Sequence, residues 1–272
     1  NYVSFANKTW RIVRINGDGS VRLVLDDAAK DSDGNVIKTA FNSGTAADNA
    51  YVGYMYGTAG STTYEATHKN INDSTIKTKV DKWYEDNLKT NYANYLSDTL
   101  FCNDKTLASS SIGSSNTALG YGSNETYYAS TERLQYSTGT TSITTSKPTF
   151  KCAESAKDTY SRFTVNETTL LNGNKTNGDL TYPIGLLSAD EVAYAGAYKY
   201  GQDNRSYYLY KSPAWWLMTP YSSSYVFYSL NLLSVTTYYS QNFRPSINLK
   251  ADLLINGGDG TKSNPYTVKL SS

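Results

Sequence analysis

The chain has 272 residues, a formal net charge of +1, only 18% charged side chains, and 26 tyrosines against 7 phenylalanines and 4 tryptophans. That length holds one large domain or two small ones, and either buries most of its unfolded surface. The near-neutral balance, with no cluster of Lys and Arg, excludes a phosphate-neutralising nucleic-acid binder, and no apolar run is long enough to span a bilayer.

Tyr2-Val3-Ser4-Phe5 already reads as folded sequence, so any signal peptide or membrane anchor is expected to lie outside this chain. Trp10-Arg11-Ile12-Val13-Arg14-Ile15 alternates, Asn16-Gly17-Asp18-Gly19 turns, and Val21-Arg22-Leu23-Val24-Leu25 returns, which predicts a β-hairpin. Asp31-Ser32-Asp33-Gly34-Asn35 predicts a second turn. It is similar to the start of a calcium loop, but the twelfth position is Asn42 where such a loop needs Glu, so no metal site is expected. His68 sits in the polar run Glu65-Ala66-Thr67-His68-Lys69 and is expected at the surface.

Between Asn70 and Ser97 the period lengthens. Ile76, Val80, Trp83, Tyr84 and Leu88 recur at helical spacing, with Asp73 or Ser74 as the N-cap. Cys102 and Cys152 follow. Bridged, they close a loop of some fifty residues worth about 4 kcal/mol in the chain-entropy model; the alternative is two buried thiols. A bridge implies an oxidising compartment, hence an extracellular or cell-surface location. Residues about 103–151 are expected to form an irregular insertion whose tyrosines need burial.

Ser188-Ala189-Asp190-Glu191 is a capping box opening a short helix that Gly196 stops. Beyond it, Tyr207–Tyr210, Ala214–Met218, Tyr225–Leu230, Leu233–Tyr239 and Ser246–Leu249 are candidate strands, with Pro213, Pro220 and Pro245 at their ends.

Catalytic signatures are missing: there is no Gly-x-Ser-x-Gly elbow, His-Glu-x-x-His, phosphate loop or Cys-x-x-Cys. The adjacent carboxylates Asp26-Asp27, Glu85-Asp86 and Asp190-Glu191 read as turn, helix-surface and capping residues, so neither a catalytic residue nor a cofactor is predicted. What stands out is Tyr221–Ser240, twenty positions built only from Tyr, Ser, Val, Phe, Leu, Asn and Thr. Tyr offers large contact area at small entropic cost, and Ser and Asn offer adaptable hydrogen bonds, a composition favoured at recognition surfaces. The predicted contacts are Tyr221, Ser223, Tyr225, Phe227, Tyr228, Asn231, Tyr238, Tyr239 and Asn242. Alternation would put Tyr225, Phe227 and Ser229 on one face and Val226, Tyr228 and Leu230 on the other. The plainer alternative is an ordinary antiparallel pair with the second set inward.

Ala214-Trp215-Trp216-Leu217-Met218-Thr219-Pro220 and Phe243-Arg244-Pro245-Ser246-Ile247-Asn248-Leu249 resemble the C-terminal pattern of bacterial C-type-lectin-like domains. In that pattern a Trp-rich strand ends in Ser-Pro or Thr-Pro, a variable hairpin follows, and an Arg-Pro-x-Ile-Asn-Leu strand closes the domain. Trp10–Ile15, Phe101–Asp104, Leu180–Leu187 and Ala189–Gly196 also look like this family, so the resemblance covers nearly the whole chain. It implies an α+β fold in one domain, 1–272: two main helices packed on small twisted antiparallel sheets, with loop-rich insertions and a ligand-display hairpin at about 221–243. It also implies that Trp215, Trp216, Arg244 and Pro245 are scaffold.

The family is similar in fold to formylglycine-generating enzymes and to the variable proteins of diversity-generating retroelements. In the latter, adenine-directed mutation rewrites a display patch, and every residue from 221 to 240 is reachable from the codons concerned. The enzymes use paired cysteines near the C-terminal core, whereas Cys102 and Cys152 lie far upstream, so an oxidase is disfavoured. The calcium-dependent sugar motifs of animal lectins are absent too. The expected function is surface-displayed recognition of a protein or glycan; the alternative is a structural part of a pilus or cell-surface fibre, joined to an upstream anchor or fibre subunits.

Overall fold

The computed structural model describes residues 1–44, 47–109, 112, 119–135, 146–153, 160–197, 206–229 and 232–270. The N-terminal hairpin forms as its sequence dictates: Asn16 donates its backbone N–H to the Ser20 carbonyl at 2.8 Å, and Gly19 takes φ +82, a left-handed conformation cheap only for glycine. Strands Lys8–Ile15 and Val21–Leu25 pair antiparallel with a bulge between Ile12 and Arg14. The bulge re-aims the side chains beyond it.

These two strands anchor a seven-stranded sheet. Its spatial order is Ile255–Gly257, Tyr266–Val268, Tyr2–Phe5, Lys8–Ile15, Val21–Leu25, Ser246–Leu249 and Ile184–Gly185. One pairing is parallel, Val3 opposite Tyr266, and the rest are antiparallel, so the sheet is mixed. A second sheet holds Trp216–Ser222, Tyr225–Tyr228 and Leu233–Thr236. Helices complete an α+β architecture.

Thr75–Tyr84 starts where the Ser74 hydroxyl accepts the Lys77 N–H at 3.2 Å and continues into a wider π-helical turn, Glu85–Lys89. Its stripe of Ile76, Val80 and Trp83 is buried in the main core, with Trp83 edge-on to Trp10 at 6.1 Å. Ala189–Tyr194 carries the full capping box: the Ser188 hydroxyl accepts the Glu191 N–H, and the Glu191 carboxylate accepts the Ser188 N–H.

Several segments differ from the sequence reading. Residues 207–210 form a turn, closed by Tyr210 N–H to the Tyr207 carbonyl, because the two tyrosines before Leu209 spend their hydroxyls on distant carbonyls: Tyr207 on Ser229, Tyr208 on Val13. Pro220 sits inside a strand, at a register shift where the missing N–H is tolerated. The segment expected as an irregular insertion is partly core. Asn103, Asp104 and Lys105 are buried, and helix Ala129–Gln135 donates hydroxyl hydrogen bonds from Ser130 and Thr131 to the carbonyls of Pro220 and Tyr221. Cys102 and Cys152 are bridged. Among the described residues no helix is long and apolar enough to cross a membrane.

Candidate functional site

The three-stranded sheet is a partition. Val226 points into the main core with Trp216 and Met218, while Phe227 points into a second core with Trp215, Leu217, Leu187 and Val192. A strand covered on both faces needs no alternation of polar and apolar residues, which accounts for the adjacent apolar pair Val226 and Phe227. Arg244 lies over the Trp215 ring at 4.7 Å and donates to the carbonyls of Leu25 and Leu209 at 2.7 and 2.8 Å. Burial pushes its guanidinium down to about 10, against the pull of Asp26. Trp215, Trp216, Arg244 and Pro245 are all buried.

The predicted contact residues divide accordingly. Phe227 is fully enclosed, and Ser223 and Asn242 are buried, so their expected place at a contact surface is corrected by two-sided packing. Ser223 gives its N–H to the Thr126 carbonyl, and Asn242 gives its amide to the Ala214 carbonyl at 3.3 Å. Tyr221 and Tyr228 are half-buried: Tyr221 stands edge-on to Phe227 at 5.2 Å, and Tyr228 packs on the main core, where burial raises its hydroxyl's pKa. Asn231, with Leu230, lies outside the described residues. The next residue, Leu232, holds φ +48 while buried, a conformation that side chains other than Gly and Asn seldom adopt.

Three of the predicted residues are exposed: Tyr225 at 40%, Tyr238 at 48% and Tyr239 at 55%. They share one end of the sheet. Tyr225 pairs with Thr236, the Thr237 N–H reaches the Ser224 carbonyl, and the Tyr239 N–H closes a turn onto Thr236. Tyr238 and Tyr239 stack at 5.1 Å with 27° between ring planes. The result is a short aromatic ledge held by a sheet anchored through the buried Trp216, Val226 and Phe227.

A second concavity of about 650 Å³ lies where Arg14, Asp18, Phe150, Lys151 and Leu171 converge. Beside it runs an ionic brace. Glu191 takes Arg14 at 3.1 Å and Arg22 at 3.3 Å, and Arg133 joins Asp104 and Asp190 at 2.6 Å each. Burial brings Arg22 down to about 10, with Glu191 opposing the shift; for Arg133, burial acts downward but the two carboxylates prevail and its pKa rises. The sequence showed these groups only as isolated charges on strands and a capping residue. Their signal was the presence of Arg14 and Arg22 within otherwise apolar strands.

The adjacent carboxylate pairs are all engaged by cations. Lys211 holds Asp26 and Asp27 at 3.1 and 2.9 Å, Lys89 and Lys82 hold Glu85 and Asp86, and Arg133 and Arg14 hold Asp190 and Glu191. Among the described residues no group of three or more His, Cys, Asp and Glu is arranged to hold a metal. His68, expected at the surface, is fully buried: its Nε2 meets the Gly120 carbonyl at 2.8 Å, and burial, with Lys105 nearby, lowers its pKa to about 3. The polar run around it concealed this, because the covering residues Tyr64, Gly120 and Tyr128 include two from far along the chain.

Comparison with protein-family models, with curated protein sequences and with solved structures returns no match.

Proposed function

We propose that the chain is a surface-displayed recognition module of C-type-lectin-like architecture, binding a protein or glycan partner through Tyr225, Tyr238 and Tyr239. The observation that carries this reading is the concentration of exposed tyrosines at one end of a sheet whose central strand is packed on both faces at Val226 and Phe227. Rings fixed in advance lose little freedom on binding, and each presents an apolar face with a polar tip. The disulfide fits an oxidising, extracellular setting. The carboxylate pairs are braced by cations, so the reading is of a binder and not an enzyme.

Retroelement-type diversification, if it acts on this chain, is confined by packing to the exposed positions. Comparison of sister genes tests it: substitutions concentrated at codons 225 and 238–240 support it, and substitutions spread evenly along the chain reject it. Binding itself is tested on a glycan array and on immobilised glycoproteins before and after enzymatic deglycosylation. Binding by the wild type that is lost in the Tyr238→Ala/Tyr239→Ala double variant supports the assigned surface. Binding that the double variant retains in full overturns it, and sensitivity to deglycosylation identifies a glycan as the partner.

A further inference from the structure

The cleft lined by Phe150 and Leu171 keeps apolar surface in water with cations beside it. Leu171 is 98% exposed and Phe150 46%. Apolar side chains gathered in a concavity of about 650 Å³ are the usual mark of a ligand site. Phe150 is held in place: its ring stacks on Tyr194 at 4.1 Å and carries the Arg14 guanidinium 4.8 Å from its centroid. The disulfide fixes the same wall, because Cys152 follows Phe150 and Lys151 and is tied to Cys102, just beyond the lining residue Leu100. A Cβ built on Gly17 would stand 4.0 Å from Leu171 Cδ1, so the leucine reaches from its own loop to the rim formed by the N-terminal hairpin.

The charged groups of the lining are unequally engaged. Asp98 accepts the Val165 and Asn166 N–H groups at 2.7 and 2.8 Å, one on each carboxylate oxygen, and Asp18 accepts the Ser20 N–H at 2.9 Å and the Thr99 hydroxyl at 2.8 Å in the same way. Neither carboxylate has a bare oxygen. Asp104 and Asp190 nearby are held by Arg133. Arg14, in contrast, spends only Nε, on Glu191 at 3.1 Å; among the described residues its two Nη groups and the Lys151 amine have no hydrogen-bond partner. Glu191 is itself shared with Arg22, so one carboxylate faces two guanidiniums. The unfilled capacity of these charged groups is therefore donor and cationic, and the complementary ligand brings negatively charged oxygens.

We propose that this cleft binds a long-chain aliphatic carboxylate, with the acid group on Arg14 and Lys151 and the hydrocarbon along Phe150, Leu100 and Leu171. A guanidinium already oriented through Nε offers its Nη pair as a planar fork that matches a carboxylate. An alkyl chain asks for no hydrogen bonds, whereas each backbone amide of an entering peptide would need partners that a mainly apolar lining does not supply. No residue of the Tyr225, Tyr238 and Tyr239 ledge lines the cleft, so this site stands apart from the recognition surface.

Calorimetric titration of the purified, oxidised chain with sodium dodecanoate tests the site. Binding is expected to saturate at one equivalent with a Kd of about 100 µM or tighter. Lys151→Glu and Leu171→Asp change exposed side chains, so both variants fold, and each is expected to weaken binding at least about tenfold. Absence of saturable binding below about 1 mM overturns the proposal. Undiminished affinity in both variants does the same, because it places the ligand elsewhere. Dodecylammonium binding as tightly as dodecanoate overturns the assignment of the charge, and tighter binding of acetylated tri-leucine with a free carboxylate replaces the aliphatic acid with a peptide terminus.

Discussion

Trp215 and Trp216 are neighbours in the chain, yet they are buried in different cores: Trp215 beside Phe227 and Leu187, Trp216 beside Phe41, with ring centroids 5.5 Å apart, and Val226. The strand that Trp216 begins therefore divides the interior. Either side can be damaged separately.

Trp216→Ala is expected to lower unfolding free energy by about 3–5 kcal/mol, the usual cost of emptying a large aromatic site. Its indole N–H also leaves the Thr39 carbonyl, 2.9 Å away, without that donor. Urea denaturation followed by circular dichroism measures the loss. A change below about 1 kcal/mol would contradict the two-core description.

The Tyr238→Ala and Tyr239→Ala variants are expected to shift stability by no more than about 0.5 kcal/mol each, since both rings are exposed and lie in a turn. Affinity for a partner found by array screening should nonetheless fall at least tenfold in the double variant, about 1.4 kcal/mol. Melting temperature and binding titration, measured on the same preparations, separate the two effects.

His68 gives the fold an acid-sensitive point. Its imidazole is held near 3 in the folded chain against an ordinary 6.5, so the unfolded chain binds the extra proton between those values. Its contribution is complete above pH 6.5 and is lost as pH falls toward 3, amounting to about 4 kcal/mol over the window. Urea midpoints from pH 7.5 down to 4 should decline in the wild type and decline less steeply in His68→Gln.

Replacing both cysteines by serine is expected to cost about 2–4 kcal/mol by releasing a loop of 50 residues in the unfolded chain. Calorimetry of the wild type with and without reductant should reproduce the same decrement, and equal melting temperatures would show that the bridge does not constrain the unfolded state.

Glu191→Gln keeps the shape of the capping box but removes the charge opposite Arg22, which is buried. Stranding one member of a buried pair costs about 3–5 kcal/mol. A double variant in which Arg22→Met accompanies Glu191→Gln should recover part of that loss, and a thermodynamic cycle over the four proteins reads the coupling.

Local chemistry was legible in the sequence. The Asn16-Gly17 turn, the Ser188–Glu191 box, the Ser74 cap and the strand Ser246–Leu249 each depend on residues within a few positions of one another, and each forms. What escaped the sequence was decided by distant partners. Phe227 is enclosed because helix Ala189–Tyr194 and the 207–209 turn cover a face that alternation assigned to solvent. His68 is buried by residues some fifty positions downstream, and Lys105 reaches Asn70 and His68 across 35 and 37 positions. Of the predicted contact residues, the exposed ones sit at the hairpin's end, where the two cores run out.

The strand Ser246–Leu249 lies between Val21–Leu25 and Ile184–Gly185, and Asn103 ties the Tyr54 N–H to the Met218 carbonyl at 2.9 and 2.6 Å. A chain emerging from a ribosome must therefore release residues 21 to 249 before the strand Val21–Leu25 finds its neighbour Ser246–Leu249. Until then the early hairpin presents a raw, adhesive edge. Closing that edge rests on contacts between residues more than two hundred positions apart, so the sheet is completed by partners from the two ends of the chain.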